Sequence, residues 1–252
     1  MPLNNLRCQQ ALDRLTKLHP KLIDLGLERT LTLSRKIGAP HLRLPPTIHI
    51  AGTNGKGSTA AMLRSMLEAH GFCVHVYASP HLCRFNERIR LGGTLISDDY
   101  LADILERIEA VNNGAPVTFF ESTTIAAFTA FAEQKADFLI LETGLGGRYD
   151  STNIIERHAC SIITPIARDH EHFLGTELAD IAEQKAGILK PDCPSVWAAQ
   201  DSAVTDRLWH CARQADAGRI MIEGADFSVR PLSQDEFIYS MDDTQINLPV
   251  PA

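Results

Sequence analysis

The sequence is short of several things, and each shortage excludes a class of protein. Its 252 residues contain only two Trp and four Tyr, and aromatics reach 6%. The cysteines Cys8, Cys73, Cys83, Cys160, Cys193 and Cys211 are scattered, with no C-x-x-C pair. That spacing suits neither a zinc ribbon nor a disulfide framework, so free thiols in a reducing compartment are expected. No apolar run approaches the ~20 residues that span a bilayer. The opening Met1-Pro2-Leu3-Asn4-Asn5 has no basic stretch followed by an apolar core, so no signal peptide is expected and the cytoplasm is the expected location. Basic residues are outnumbered, 24 Lys and Arg against 31 Asp and Glu, for a net charge of -7. A nucleic-acid binder usually shows a basic excess, so neither nucleic acid nor membrane is an expected partner. There is no internal repeat and no low-complexity tract.

What remains is an ordinary globular composition, 44% apolar and 22% charged. A chain of this length buries roughly 70% of its unfolded surface, enough for a sizeable core. Helical spacing predicts helices over 5–19 and 27–37, the first with Leu6, Leu12, Leu15 and Leu18 on one face. Pro45-Pro46 closes this entry segment. A strand 47–51, a glycine turn and a helix 58–69 follow, then a strand 73–77 and a long loop 79–97 rich in Arg, Gly and Pro. Helices are expected at 99–111, 122–134, 177–189 and 202–216, and strands at 137–141, 160–164 and 195–199. Strands alternating with helices predict an α/β fold, with a mostly parallel sheet covered on both faces as a three-layer sandwich. The tail 219–248 alternates like short β-strands. The expected division is a helical entry segment 1–46, a phosphate-loop domain 47–218 and a small β-rich extension 219–252.

The strongest chemical signal is Gly52-Thr53-Asn54-Gly55-Lys56-Gly57-Ser58, between a buried strand and a helix. A phosphate chain needs inward-pointing backbone N–H groups and a helix N-terminus. Lys56 adds a positive charge for the phosphates, and Ser58 a hydroxyl for Mg²⁺. The motif is not a strict Walker A, because Gly57 separates the lysine from the serine. Its bland alternative is a glycine-rich turn with a solvated lysine. Glu142 ends an apolar strand and precedes a second glycine loop, Gly144-Leu145-Gly146-Gly147-Arg148. A carboxylate at that sheet edge suits Mg²⁺; its bland alternative is a strand-end carboxylate paired with Arg148. His170, after Arg168-Asp169, could bind a metal or act as an acid or base, but alone reads more simply as structural. Lys185, on an amphipathic helix, would ordinarily be solvated. The loop 79–90 carries three arginines and a histidine and suits an anionic ligand. Thr118-Phe119-Phe120-Glu121 opens a helix and offers an aromatic wall or core packing.

Together these segments resemble the folylpolyglutamate synthase/dihydrofolate synthase family of the Mur-ligase superfamily. The resemblance rests on Gly52–Ser58, Ser79-Pro80-His81-Leu82, Arg84–Arg88, Glu142 with Gly144–Arg148, Asp150–Asn153, Asp169-His170 and Lys185-Ala186-Gly187, in order along 12–190. The segment Ile23–Arg29 is similar to the bifunctional bacterial type. The resemblance implies the Mur-ligase central-domain fold and ATP-dependent amide-bond formation. A substrate carboxylate is phosphorylated, and the amine of L-glutamate displaces phosphate. The acceptor is dihydropteroate, a reduced folate, or both. It implies that Asn54, Gly55, Lys56, Gly57 and Ser58 hold ATP, and that Ser79, Glu142, His170 and Ser58 bind Mg²⁺ at two sites. Lys185 would carry a carbamate, with Lys56, His170 and Lys185 serving catalysis. Thr118, Phe119, Phe120, Glu121, Tyr149, Asp150 and Ser151 would hold the pterin or pteroate. The expected working form is a monomer acting on small molecules.

The chain departs from the family pattern at Thr143, Tyr149, Arg168, Glu171 and Gln184. Glu171 beside a metal ligand adds a charge there. The family normally continues into a second, Rossmann-like domain that binds glutamate, and this sequence stops at Pro251-Ala252. Weak or no ligase turnover is therefore expected of this chain alone. A phosphate-release assay with ATP, pteroate and glutamate tests that expectation. Two other readings stay open: a Mur-type peptidoglycan-precursor ligase, and a non-catalytic nucleotide- or folate-binding module. A plain P-loop kinase fits less well because of Gly57.

Overall fold

The computed structural model describes residues 3–19, 21 and 23–249. In chain order the elements are α1 (Leu3–Thr16), α2 (Glu28–Lys36), β1 (Thr47–Ala51), α3 (Lys56–Ala69), β2 (Val74–Tyr77), β3 (Ile89–Leu91) and β4 (Thr94–Leu95). Then come α4 (Asp98–Asn112), α5 (Phe119–Glu133), β5 (Phe138–Glu142), β6 (Cys160–Ile163), α6 (Glu171–Leu174), α7 (Leu178–Ala186), β7 (Ser195–Trp197) and α8 (Ser202–Gln214). The chain closes with β8 (Ile220–Ile222), β9 (Phe227–Pro231), β10 (Glu236–Met241) and β11 (Thr244–Pro249).

The main sheet has eight strands in the order β4-β3-β2-β5-β1-β6-β7-β8. The six from β2 to β8 run parallel, and β3–β4 is an antiparallel hairpin at one edge. The central strands are buried on both faces, which explains their continuous apolar runs. Period-2 alternation divides their side chains. Ile50, Val74, Val76 and Ile140 pack under α3, whereas Leu139 and Leu141 meet the cluster built by α1, α4 and α5. Ala51, Ile163 and Trp197 face α7 and α8. This is the expected three-layer α/β arrangement. Its parallel strands bring the loops after β1, β2, β5 and β6 to one rim of the sheet. There the chain crosses from β5 on one side of β1 to β6 on the other, the usual place for a ligand.

Several expectations shift. The 79–97 loop is structured: a 3₁₀ turn, Phe85–Arg88, leads into the β3–β4 hairpin, whose Gly92 and Gly93 take positive φ. Ile89 and Leu91 alternate into the core, a signal masked by the flanking arginines. The helix expected at 122 begins at Phe119, because Thr118 and Glu121 form a capping box. The helix expected to reach 189 ends at Ala186. At Gly187 a Cβ would stand 2.4 Å from the Arg148 Cα, so the chain there is pressed against the second glycine loop. In α1, Leu12 and Leu15 are buried but Leu6 is 56% exposed. Leu12, Leu15 and Leu33 join the α4–α5 core, so the entry segment packs as part of the main body. Strand β8, beyond residue 218, pairs with β7 in the main sheet; only β9–β11 form a separate antiparallel sheet. Among the described residues no helix is long and apolar enough to cross a membrane.

Candidate functional site

The loop after β1 is bound tightly to its neighbour strand. Gly52 has φ 151°, and a Cβ there would lie 1.9 Å from the Thr164 Oγ1. Pro165 O accepts the backbone N–H groups of Thr53 (2.9 Å) and Asn54 (3.1 Å). Thr53 Oγ1 donates to Ala167 O at 3.0 Å and accepts Ala167 N at 3.1 Å. Gly55, with φ 84°, turns the chain into α3. The amides that open α3 have no intrahelical acceptor and meet the rim at the positive end of the helix dipole. Asn54, Gly57 and Ser58 are exposed there. The Asn54 amide is already spent on Pro165, so that residue can offer a ligand only its side chain.

Two lysines converge on one carbonyl. Lys56 Nζ donates to Gly52 O (3.1 Å) and Thr53 O (3.3 Å). Lys185 Nζ, from α7, donates to the same Gly52 O at 2.8 Å. Lys185 is 4% exposed. Burial, reinforced by the charge of Lys56, brings its pKa down to about 8. Sequence periodicity alone treats this lysine as solvated; only the packing of α7 against the rim buries it.

Glu142 sits on the adjacent strand, paired in register with Ile50. A Cβ on Gly57 would come 3.9 Å from its Oε2, so the start of α3 and this carboxylate face one another. Glu142 is buried and accepts one hydrogen bond among the described residues, from Ser79 N at 3.3 Å. Burial raises its pKa, while Ser79 and Lys56 pull the other way. Arg148 does not pair with it; Arg148 binds Glu183 at 2.9 Å, which Arg207 also contacts. Among the described residues no three His, Cys, Asp or Glu side chains cluster for a metal. The donors present are one carboxylate and the Ser58 and Ser79 hydroxyls. That set suits a hard cation completed by phosphate and water oxygens, rather than an all-protein cage. The under-bonded buried carboxylate is the observation that fits such an ion.

The second glycine loop is held by Asp150, whose buried carboxylate accepts Gly144 N (3.0 Å), Leu145 N (2.8 Å) and Thr152 N (3.0 Å). His49 Nε2, within β1, bonds Thr152 Oγ1 at 2.9 Å, tying this loop to the strand that carries the first. At Gly144 a Cβ would strike the Phe120 ring at 2.3 Å, and at Gly147 it would meet Gln184 O and Lys185 O at 2.8 Å. The glycines thus admit α5 and α7 to the loop.

Beside this rim opens a cleft of about 240 Å³. Thr118, Phe120, Glu121, Tyr149, Asp150 and Ser151 line it, with Ser79 and His170. Phe119 does not; it packs edge-on to Phe85 at 5.9 Å, on another side of α5. His170, with φ 50°, is exposed on the cleft wall 3.6 Å from Asp169. One functional pairing was not read from the sequence. Arg29 binds both oxygens of Glu121, at 3.1 and 3.2 Å, and Asp24 at 2.9 Å, closing the cleft with the 23–26 segment. Arg29 and Glu121 are 92 residues apart, so no local spacing announces that pair.

Lys185 yields a prediction independent of any ligand. Its charged form is penalised in the folded state below pH 8, where the lysine is protonated both folded and unfolded. The penalty fades as pH rises from about 8 to about 10.5. Lys185→Met should therefore melt higher than wild type at pH 7, by about 2 kcal/mol after loss of the Gly52 bond, with the gap closing and then reversing as pH approaches 10.5, because the lost bond is all that remains there. Thermal melts across that range check it; a constant gap shows that the burial penalty is not its source.

Residues 50–208 match the Mur ligase middle domain. Among curated proteins, the chain is 43% identical over 185 residues to the dihydrofolate synthase/folylpolyglutamate synthase of Haemophilus influenzae, covering 73% of this chain and 42% of that protein. It is 44% identical over 181 residues to the Bacillus subtilis protein of the same name, covering 69% and 41%. Among solved structures, the E. coli FolC complex with DHPP and ADP superposes with a TM-score of 0.90 at 32% identity, over 100% of this chain and 59% of that one. A bifunctional folylpolyglutamate synthase/dihydrofolate synthase with Mn, AMPPNP and L-glutamate bound gives a TM-score of 0.84 at 32% identity, over 99% and 59%. The chain thus spans less than two thirds of the length of these relatives.

Proposed function

The chain belongs to the Mur ligase family, and from that premise we propose that it is the ATP-handling part of a ligase that joins L-glutamate to dihydropteroate, to a reduced folate, or to both. One observation carries the reading. Lys56 and Lys185 meet at Gly52 O, Glu142 faces the start of α3, and this rim adjoins the cleft. The similar proteins crystallised with ADP and DHPP, and with Mn, AMPPNP and L-glutamate, support it.

In the proposed reaction a carboxylate oxygen of the acceptor attacks the γ-phosphorus of ATP, and ADP leaves. The glutamate amine then attacks the acyl carbon, loses a proton, and the C–O bond to phosphate breaks. Lys56 and the α3 amides from Gly55 to Ser58 hold the triphosphate. Phosphoryl transfer depends mostly on such positioning and charge neutralisation. Ser58, Ser79, Glu142 and His170 would provide donors for two divalent cations, and Lys185 would support them if its amine took up CO₂ as a carbamate. When bound, the cations neutralise the phosphate oxygens and orient the carboxylate. A lowered amine pKa favours carbamylation, since the neutral amine is what reacts with CO₂. Phe120 and Tyr149 flank the acceptor's rings. The protein acts as a monomer in the cytoplasm on small molecules.

Calorimetry tests the reading. The chain should bind a non-hydrolysable ATP analogue with Mg²⁺, and pteroate, while a nucleotide-sugar peptide should not displace pteroate. Binding of the sugar peptide in preference to pteroate would move the assignment to a peptidoglycan ligase.

A further inference from the structure

We propose that Arg88 anchors the carboxylate of the acceptor in the cleft, and that His81 is the positioning residue that aims it. The proposal rests on the folate reading and adds a recognition group to it.

Charge on the cleft wall is nearly all accounted for within the protein. Asp24 pairs with Arg29, and Glu121 with Arg29 and the Thr118 amide. Asp150 is occupied by its own loop. Arg88 lines the same cleft with no carboxylate partner among the described residues. Its Nε donates to His81 Nδ1 at 2.8 Å, and its guanidinium lies 5.4 Å from the centre of the Phe85 ring. Neither contact occupies the two terminal Nη groups, and these form the fork that meets a carboxylate.

The guanidinium is held firmly. Glu87 accepts the amides of Leu82 (2.7 Å), Cys83 (3.0 Å) and Arg84 (2.7 Å), fastening the turn that bears Arg88. Arg88 O accepts Ala78 N at 3.0 Å, so the backbone of Arg88 is pinned one residue from Ser79. Ser79 in turn donates to Glu142. Arg88 and Ser79 thus line one cleft from neighbouring backbone, and Ser79 ties it to Glu142 on the rim that carries the phosphate loop. Thr118 and Glu121 line the same cleft. His81 contributes an acceptor rather than a donor. Its Nδ1 fixes Nε, which sets the plane of the fork.

The test compares two ligands: pteroate, and its neutral carboxamide. Arg88→Gln should weaken pteroate binding about 30-fold, the usual scale of a lost charge-assisted pair, and leave the carboxamide unchanged. Arg88→Lys keeps a cation near Phe85 and loses the fork, so about tenfold should be lost for pteroate alone. His81→Ala should weaken pteroate about fivefold, and His81→Asn, whose Oδ1 stands near the position of Nδ1, should restore it. Thermal melts confirm that each variant is folded; should Arg88→Gln not fold, Arg88→Lys decides. Equal losses for both ligands, or none, overturn the anchor. An Asn variant no better than Ala removes the role of His81. If the wild-type chain binds neither ligand, the folate reading itself falls.

Discussion

Gly52→Ala should destroy nucleotide binding and lower the melting temperature by about 10 °C. The added Cβ would lie 1.9 Å from Thr164 Oγ1 and 2.9 Å from both Thr164 Cβ and O. Thr164 cannot step aside cheaply. Its N–H is bonded to Ala51 O at 2.8 Å, and Pro165, the next residue, already accepts two amides of the loop. The φ of 151° adds backbone strain for any L side chain. Overpacking and strain together cost about 3 kcal/mol, which is about 10 °C for a chain of this size. Moving Gly52 O also removes the acceptor shared by Lys56 and Lys185. Gly55→Ala is the informative control: its φ is 84°, but a Cβ there meets nothing within 4 Å. It should lose about 1 kcal/mol from strain alone. Melting curves and titration with a fluorescent ATP analogue separate the two. A Gly52→Ala protein that melts like wild type would show that the loop is not packed against β6 as described.

Glu142→Gln should have effects of opposite sign on stability and on ligand binding. Burial raises the pKa of Glu142, so its ionised form is a burden on the folded protein near neutrality. The amide removes that charge at nearly constant shape, and the free variant should melt higher than wild type at pH 7. The gain should shrink as pH falls through the raised pKa of the folded carboxyl and be gone below its ordinary value of 4.5. In the presence of Mg²⁺ the ATP analogue should bind about 100-fold more weakly, because a neutral amide is a poor ligand for a hard cation. Without divalent cation the two proteins should bind it alike. A loss of affinity that is the same with and without Mg²⁺ would remove Glu142 from the metal site.

Particular residues show how far the sequence can be read. The Gly52–Ser58 loop was legible because its chemistry is local: strand, glycines, lysine and helix follow one another without interruption. Glu142 was legible for a similar reason, as a carboxylate ending an apolar strand. Lys185 was legible only through family resemblance. Nothing in its helix distinguishes it from a solvated lysine, and its burial depends on a chain segment 133 residues away. Phe119 and Phe120 could not be told apart by type, yet Phe120 faces the cleft and Phe119 packs on Phe85. The capping box sets the start of α5 and therefore the direction of each ring. The β3–β4 hairpin was hidden because two short strands with interspersed arginines leave too little alternation to count.

The sequence by itself determined the α/β alternation and the glycine-rich turn that joins β1 to α3, since these depend on periodicity and neighbouring residues. The tertiary structure decided which groups share a rim. The parallel strands carry Gly52, Ser79 and Glu142 to one edge, the Asp24–Arg29–Glu121 pairs close the adjoining cleft, and Ala78 fixes Arg88 beside Ser79. Those juxtapositions arise from strand order and from packing between distant segments, and neither leaves a mark in local spacing.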